Sequence, residues 1–178
     1  DDAPVISGTT SVSVDEEGLG GNAGDSYTSG DLTGAAVTAT GTLGVSFGAD
    51  GAATTGAGFT LAAAGATWDA ATRTLTGADS AWTVVVQTNG SYTFTLLKPL
   101  THATANTEDD AVITVTFDAT DKDGDVKSGS FTVTVDDDAP VISGTTSVSV
   151  DEEGLGGNAG DSYTSGDLTG AAVTATGT

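Results

Sequence analysis

The sequence has no cysteine and no methionine, and only four of its 178 residues are lysine or arginine. The absence of cysteine excludes a disulfide framework and a thiolate metal site, so a secreted chain of this kind needs another source of stabilisation. Its 25 acidic residues give a formal charge of -21. A surface this negative repels nucleic acid and anionic membranes, which excludes both as partners.

Long apolar runs are also missing. None approaches the roughly 20 residues that a membrane-spanning helix needs, so we expect no direct membrane insertion. No signal peptide opens the chain, which starts on Asp-Asp-Ala-Pro in the middle of a repeating pattern. We therefore expect the sequence to be an excerpt from a longer protein.

Apolar residues make up 37% of the chain and alternate with polar ones, which favours β-structure over disorder. The alternating sets are Val12 and Val14; Val37, Ala39, Leu43, Val45 and Phe47; Phe59 and Leu61; Tyr92, Phe94 and Leu96; Ile113, Val115 and Phe117; and Phe131, Val133 and Val135. Trp82 to Val86 is a short run that is apolar except for Thr83 and predicts a central strand, and Gln87 to Ser91 predicts a hairpin turn. We predict an all-β, antiparallel sandwich with essentially no helix.

The chain repeats itself. Residues 1–42 recur without a change as residues 137–178, with a period of 136. This period indicates a tandem array with one domain per repeat, here a complete repeat, 1–136, followed by the start of the next, 137–178. Because a third of a domain cannot bury its apolar face alone, we expect residues 137–178 to pack on the preceding sheet, so that the domain is offset or split relative to the repeat.

Acidic residues concentrate between Val112 and Pro140, which reads VITVTF, DATDKDGD, SFTVTV, DDDAP. Two carboxylates about 4 Å apart repel each other by about 4 kcal/mol near a protein surface. A fold that gathers carboxylates at its strand ends therefore needs a cation, and calcium, which prefers oxygen ligands, is the natural candidate.

Counting strands sorts the carboxylates into two groups at opposite ends of the predicted sandwich. The upper acidic group consists of Asp1, Asp2, Asp121, Asp123 and Asp125, and the lower acidic group consists of Asp15, Glu16, Glu17, Glu108, Asp109, Asp110, Asp136 and Asp138. Two further candidates are Asp118, at the start of the predicted loop Asp118–Asp125, and Glu152, which repeats Glu16. Each group falls where one repeat meets the next, so the predicted calcium sites are joints between repeats.

Two known calcium motifs do not apply. Asp121-Lys122-Asp123-Gly124-Asp125 is not an EF-hand, because its glycine comes at the fourth position and the twelfth residue is Thr132. The segment also allows the simpler interpretation of a solvated turn. Residues 20–27 approach the nonapeptide of calcium β-rolls but misplace one glycine, and we interpret them as a loop.

The remaining candidate side chains have structural interpretations. His102, the only histidine, lies in LKPLTHA, and we expect a structural role because no Gly-x-Ser-x-Gly elbow accompanies a Ser-His-Asp set. Trp68, Trp82 and Tyr92 could form a sugar-stacking platform, but their positions in strand patterns favour the core. We expect no enzymatic activity, and a glycoside hydrolase with paired carboxylates is the least favoured class.

The order DEE, EDD, ATDKDG and DDDAP resembles the calcium-binding layout of cadherin repeats. YTFTLLKPLTHA, followed by DDAVITVTFDATDKDGDVKSGSFTVTVDDDAP, resembles the repeats of very large bacterial RTX-type adhesins exported by type I secretion. The likeness is good over residues 90–140 and fair over the DDAP to DEEG start. By this resemblance the calcium ligands fall on Glu16, one or more of Glu108 to Asp110, Asp121, Asp123, Asp136 and Asp138.

The resemblance implies an immunoglobulin-like or cadherin-like sandwich that acts as an extender. Such a monomeric module would lie outside the cell, on the bacterial surface, with identical repeats as its neighbours in the chain. A period of 136 exceeds the roughly 100 residues of a minimal sandwich, which supports the offset or split arrangement. The alternative is a module that itself binds a carbohydrate or a protein.

Overall fold

The structure, a computed structural model, describes residues 2–20, 36–104, 109–138, 144–150, 155 and 174–176. The chain divides into two compact units, Asp1–Pro140 and Val141–Thr178. The strands are β1 (Val5–Ile6), β2 (Val12–Asp15), β3 (Thr38–Thr42), β4 (Val45–Ser46), β5 (Phe59–Ala62), β6 (Thr67–Asp69), β7 (Thr74–Thr76), β8 (Trp82–Val86), β9 (Ser91–Leu96), β10 (Ala111–Thr120) and β11 (Val126–Asp136). Short 3-10 helices cover Glu16–Leu19, Thr55–Gly58 and Ala78–Ser80. The prediction of an all-β chain is confirmed over the described residues, where no helix is long and apolar enough to cross a membrane.

The strands form two larger sheets and one small one. One sheet has the order β2-β11-β10-β5, the other has the order β3-β9-β8-β7-β6, and β1 pairs with β4. The pairs are antiparallel except for β2 and β11, which run parallel and place Asp136 beside Asp15. The prediction of a wholly antiparallel sandwich is therefore wrong for this pair. The segment that contains β2 runs from the upper to the lower end of the domain. β11 runs in the same direction, so the two strands pair in parallel.

The two larger sheets share one hydrophobic core. The four-stranded sheet contributes Val14, Phe59, Leu61, Val115, Phe117, Phe131, Val133 and Val135, and the five-stranded sheet contributes Leu75, Trp82, Val84, Val86, Tyr92, Phe94 and Leu96. In β5, β8 and β9 every second residue is buried, as the alternation predicts. Trp82 to Val86 is central as predicted, because β8 lies between β7 and β9, and the predicted hairpin joins β8 to β9.

The interpretation of the aromatic residues as core is confirmed for two of the three. Trp82 is 5% exposed and Tyr92 is 1% exposed. Trp68 in β6 is partly buried and packs against the same cluster. A flat sugar-stacking surface therefore cannot be built from these three side chains as they stand.

The same sequence adopts different structures in the two units. In unit Asp1–Pro140, Val12 and Val14 belong to β2, and Val14 is fully buried. Their copies Val148 and Val150 lie in residues 144–150, which form no strand and are exposed. The prediction that residues 137–178 pack on the preceding sheet stays a prediction.

Candidate metal centres

The hairpin of β10 and β11 sets the positions of both acidic groups. β10 runs to the upper end and stops at Thr120, and β11 returns to the lower end and stops at Asp136. β2 runs beside β11 in the same direction and stops at Asp15. The turn residues Asp121 to Asp125 therefore lie at one end of the sandwich, and Asp15 and Asp136 lie at the other.

The upper end brings together three carboxylates from two separate loops. Oxygen atoms of Asp50, Asp121 and Asp123 all lie within 4.8 Å of one another. Asp121 also forms an isolated bridge with Ala52, which fixes the loop of Asp50 beside the β10–β11 turn. Calcium binds oxygen at about 2.3 to 2.6 Å, so oxygens on opposite sides of one ion are about 4.6 to 5.2 Å apart. A single calcium ion can therefore reach all three carboxylates.

Asp121 is the most constrained member of this set. Its residue surface is 1% exposed, and its Oδ1 accepts hydrogen bonds from the backbone N–H groups of Gly124 (3.0 Å) and Asp125 (2.8 Å). Its Oδ2 is buried and has no hydrogen-bond partner among the residues that the structure describes. A buried carboxylate oxygen without a partner carries a desolvation penalty, which a metal ion would remove.

The pKa values of Asp121 and Asp123 move apart, as expected of two carboxyl groups that compete for one proton. The neighbouring Asp121 carboxylate raises the pKa of Asp123. Burial works to raise the pKa of Asp121, but the Asp123 carboxyl and the backbone N–H groups of Asp125 and Gly124 outweigh it, and the pKa lies below its usual value. A calcium ion bound between the two carboxyl groups would favour the charged form of both.

The N-terminal aspartate also lies at the upper end. The backbone N–H of Asp2 donates to Asp50 Oδ2 at 3.0 Å, and Asp2 Oδ2 accepts from the N–H of Ala49 at 3.2 Å. Asp125 is partly buried in the same turn, and its carbonyl accepts from the N–H of Asp121. The structure therefore places Asp2, Asp121, Asp123 and Asp125 together, as the sequence predicts.

The lower end buries four carboxylates. Asp15, Glu16, Glu17 and Asp136 are each at most 7% exposed. Asp15 Oδ1 accepts from the N–H of Glu17 at 2.8 Å and so begins the 3-10 helix Glu16–Leu19. Because Asp15 and Asp136 are neighbours on parallel strands, their charges are close together in a region with little solvent.

Glu16 is engaged with a histidine. Glu16 Oε1 accepts from the N–H of Leu100 at 2.6 Å and lies 3.1 Å from Nε2 of His102. The same Nε2 lies 3.7 Å from Oδ1 of Asp137. Burial works to lower the pKa of His102, but the hydrogen bonds with Glu16 and Asp109 and the charge of Asp137 outweigh it and raise the pKa. When the imidazole of His102 is protonated, it forms ion pairs with the carboxylates of Glu16 and Asp137.

The other predicted residues take different positions. Asp118 lies within β10, because that strand continues to Thr120, and its Oδ1 accepts from Ser128 Oγ at 2.6 Å on the outer surface. Asp109 Oδ2 accepts from the N–H groups of Ala103 and Thr104, which orders the loop before β10. Asp110 is exposed and Asp138 is partly buried. Asp1, Glu108, Glu152 and residues 21–27 lie outside the described residues.

The predicted ligands do not include three residues of the two candidate metal-binding groups, namely Asp50 at the upper end and His102 and Asp137 at the lower end. Asp50 approaches Asp121 only through the bridge at Ala52, and no pattern in the sequence signals that contact. His102 and Asp137 meet because the loop before β10 folds back on the end of β11. Asp137 could have been inferred, since it adjoins two predicted ligands.

No protein-family model matches the chain, and comparisons with curated proteins and with solved structures gave no match either.

Proposed function

We propose that this chain is a structural extender, a tandem immunoglobulin-like or cadherin-like module that calcium makes rigid at its ends. The observation that carries the proposal is the buried Asp121 carboxylate, which lies in one cluster with Asp50 and Asp123. Its Oδ2 has no hydrogen-bond partner within the described part of the chain. The cluster contains only oxygen donors, which suits a hard cation. We assign its ion as calcium.

The protein's own cations do not neutralise this cluster. In the part of the chain that the structure describes, the ion pairs found both involve His102, at the lower end. Arg73 donates from Nε to the carbonyl oxygen of Val86, and Lys98 donates from Nζ to that of Asp79. Neither Lys122 nor Lys127 is paired with Asp50, Asp121 or Asp123 among the described residues, so an external cation would neutralise the cluster.

The repeat supports a role for both ends as joints. Asp1-Asp2 of the first copy recurs as Asp137-Asp138 of the second. Asp2 contacts the upper cluster through Asp50, and Asp137 contacts the lower set through His102. In a longer array, each internal Asp-Asp pair would meet the lower end of one repeat and the upper end of the next. Calcium bound at both ends of such a short linker would stiffen the array.

Calcium binding would also make the stability of the folded chain depend on whether the chain is inside or outside the cell. Extracellular calcium modules bind with dissociation constants of about 10⁻⁴ to 10⁻³ M. A site whose dissociation constant is about 100-fold below the free calcium concentration adds about 2.7 kcal/mol of stability. The chain would be loose in a calcium-poor cytosol, suited to export, and would fold outside, on the surface of a bacterial cell. There it would hold a distal binding domain away from the cell.

The alternative function, a module that itself binds carbohydrate or protein, has less support. Trp82 and Tyr92, the two best candidates for sugar stacking, are in the core. Identical copies in tandem make a protein longer, whereas a single domain at its tip is enough to bind a ligand. The repeat therefore favours the extender over the binding module. A glycan screen of this chain at saturating calcium tests that alternative.

The extender function is tested by small-angle X-ray scattering of a polypeptide with several 136-residue repeats, in calcium and in EDTA. We expect a rod in calcium and a shorter, flexible particle in EDTA. An array with Asp50→Asn in every repeat should stay flexible in calcium, whereas Asp118→Asn, the same charge change on the outer sheet surface, should behave as the parent does. Equal dimensions with and without calcium would refute the proposal.

A further inference from the structure

The lower end differs from the upper end because it contains a nitrogen donor. His102 is the only histidine in the sequence, which also has no cysteine. Its side chain is 6% exposed, and its Nδ1 lies 2.5 Å from the carbonyl oxygen of Asp109. A carbonyl oxygen can only accept a hydrogen bond, so Nδ1 must carry a proton. In the neutral ring, Nε2 then presents a lone pair.

Among the described residues, the groups that face this lone pair are acceptors. Nε2 lies 3.1 Å from Glu16 Oε1 and 3.7 Å from Asp137 Oδ1. A lone pair that faces two carboxylates is repelled unless a cation lies between them. The cation is either a second proton on the ring or a metal ion that all three atoms bind.

The surroundings orient each of the three groups as metal ligands are usually oriented. The N–H of Leu100 donates to Glu16 Oε1, and the N–H of Asp138 donates to Asp137 Oδ1. The proton on His102 Nδ1 goes to a backbone carbonyl, the usual arrangement for a histidine whose other nitrogen binds a metal. The set is therefore held in position before any ion arrives.

The spacing suits a small ion with tetrahedral geometry. Zinc binds nitrogen and oxygen at about 2.0 to 2.2 Å, so two of its ligands are about 3.3 Å apart. The distances of 3.1 and 3.7 Å lie on either side of this value. A cavity of about 370 Å³ opens beside the set and is lined in part by Glu16, Leu100 and Asp137. It leaves room for water as the fourth ligand.

We propose that Glu16, His102 and Asp137 form a site for a zinc-class divalent ion, distinct from the oxygen-only cluster at the upper end. Calcium prefers a shell of oxygens, whereas imidazole selects ions such as zinc. Asp137 is the first residue of the second copy, so the ion would fasten the start of one repeat to the body of the preceding one. The site uses Glu16, one of the calcium ligands that the resemblance implies, but it includes no residue of the upper cluster of Asp50, Asp121 and Asp123.

The test is a titration of this chain with Zn²⁺ at about 10 mM calcium, a concentration that fills extracellular-type calcium sites first. Isothermal calorimetry should show one zinc ion per chain, because the second copy repeats Glu16 as Glu152 but contains no histidine. His102→Gln should weaken zinc binding by at least about tenfold. Asp118→Asn, with its charge change outside the site, should leave the zinc affinity unchanged.

A second readout uses the unmodified chain. His102 gives the only imidazole signals in a ¹⁵N NMR spectrum. Zinc should shift the Nε2 resonance to a metal-bound position and leave the proton on Nδ1. The proposal would be overturned by any of three results: no zinc binding, full displacement of zinc by calcium, or an Nε2 resonance that zinc does not move. The cation between His102 and the two carboxylates would then be a proton on Nε2.

Discussion

The ring of Tyr92 stacks on the ring of Phe131 across the core, with centroids 4.2 Å apart and an angle of 23° between the ring planes. Tyr92 belongs to the five-stranded sheet and Phe131 to the four-stranded sheet, so this contact joins the two layers. Behind the ring lies Gly41, where a Cβ atom would be 2.4 Å from the tyrosine. The hydroxyl of Tyr92 donates to the carbonyl oxygen of Thr10 and ties the segment before β2 to the core.

This arrangement predicts a loss of stability at high pH. Burial raises the pKa of Tyr92 above its ordinary value, so the folded protein holds the phenolic proton more tightly than the unfolded chain does. The contribution of this proton to the free energy of unfolding is fully present below about pH 10, the pKa of tyrosine in the unfolded chain. It is lost as the pH rises above that value. In urea unfolding at constant calcium, the free energy of unfolding should fall less steeply above this pH for Tyr92→Phe than for the parent. Equal slopes would contradict the prediction.

The repeat provides a matched pair of substitutions. Val14 is 1% exposed, and its copy Val150 is 56% exposed within an identical local sequence. We predict that Val14→Ala lowers the free energy of unfolding by about 2 to 3 kcal/mol, because it removes buried methyl groups. Val150→Ala should change it by less than about 0.5 kcal/mol. Chemical unfolding followed by tryptophan fluorescence measures both, and a comparable loss from Val150→Ala would contradict the structure.

The same pair shows which parts of the fold the sequence can predict. Alternation identified the inward-facing residues of most strands, because a side chain's direction in a strand follows from its position alone. It could not predict whether a strand forms. Val12 and Val14 enter a strand because β11 is available as a partner, whereas Val148 and Val150 have the same neighbours in sequence and form none. The parallel pairing of β2 with β11 is likewise a property of the whole domain.

The candidate sites show a similar division. The β10–β11 turn could be predicted because strand, acidic loop and strand follow one another directly in the sequence. Asp50 could not, since about 70 residues separate it from Asp121 and its approach depends on the bridge at Ala52. The sequence predicts that the strand ends at Phe117 and the loop begins at Asp118, but β10 continues to Thr120, and its register with β11 puts Asp118 opposite Ser128.

The upper cluster can be tested with two substitutions that change the charge equally. Asp121→Asn removes the central carboxylate of the cluster, and Asp118→Asn removes one that only bonds Ser128. We predict that Asp121→Asn weakens calcium binding at this end by at least about tenfold, because a neutral amide replaces a charged ligand. Asp118→Asn should leave the affinity unchanged. Calorimetric titration with calcium distinguishes the two, and an equal effect of both variants would show that only net charge matters.

The central claim is that the carboxylates at the strand ends hold calcium, and thermal unfolding of this chain tests it most directly. The melting temperature should be measured in EDTA, in about 10 mM calcium and in the same concentration of magnesium, which prefers a smaller octahedral shell. We predict a large rise in calcium, little change in magnesium, and a smaller rise in calcium for Asp121→Asn. A melting temperature that is the same under all three conditions would contradict the account, because the carboxylates would then be solvated without a bound calcium ion.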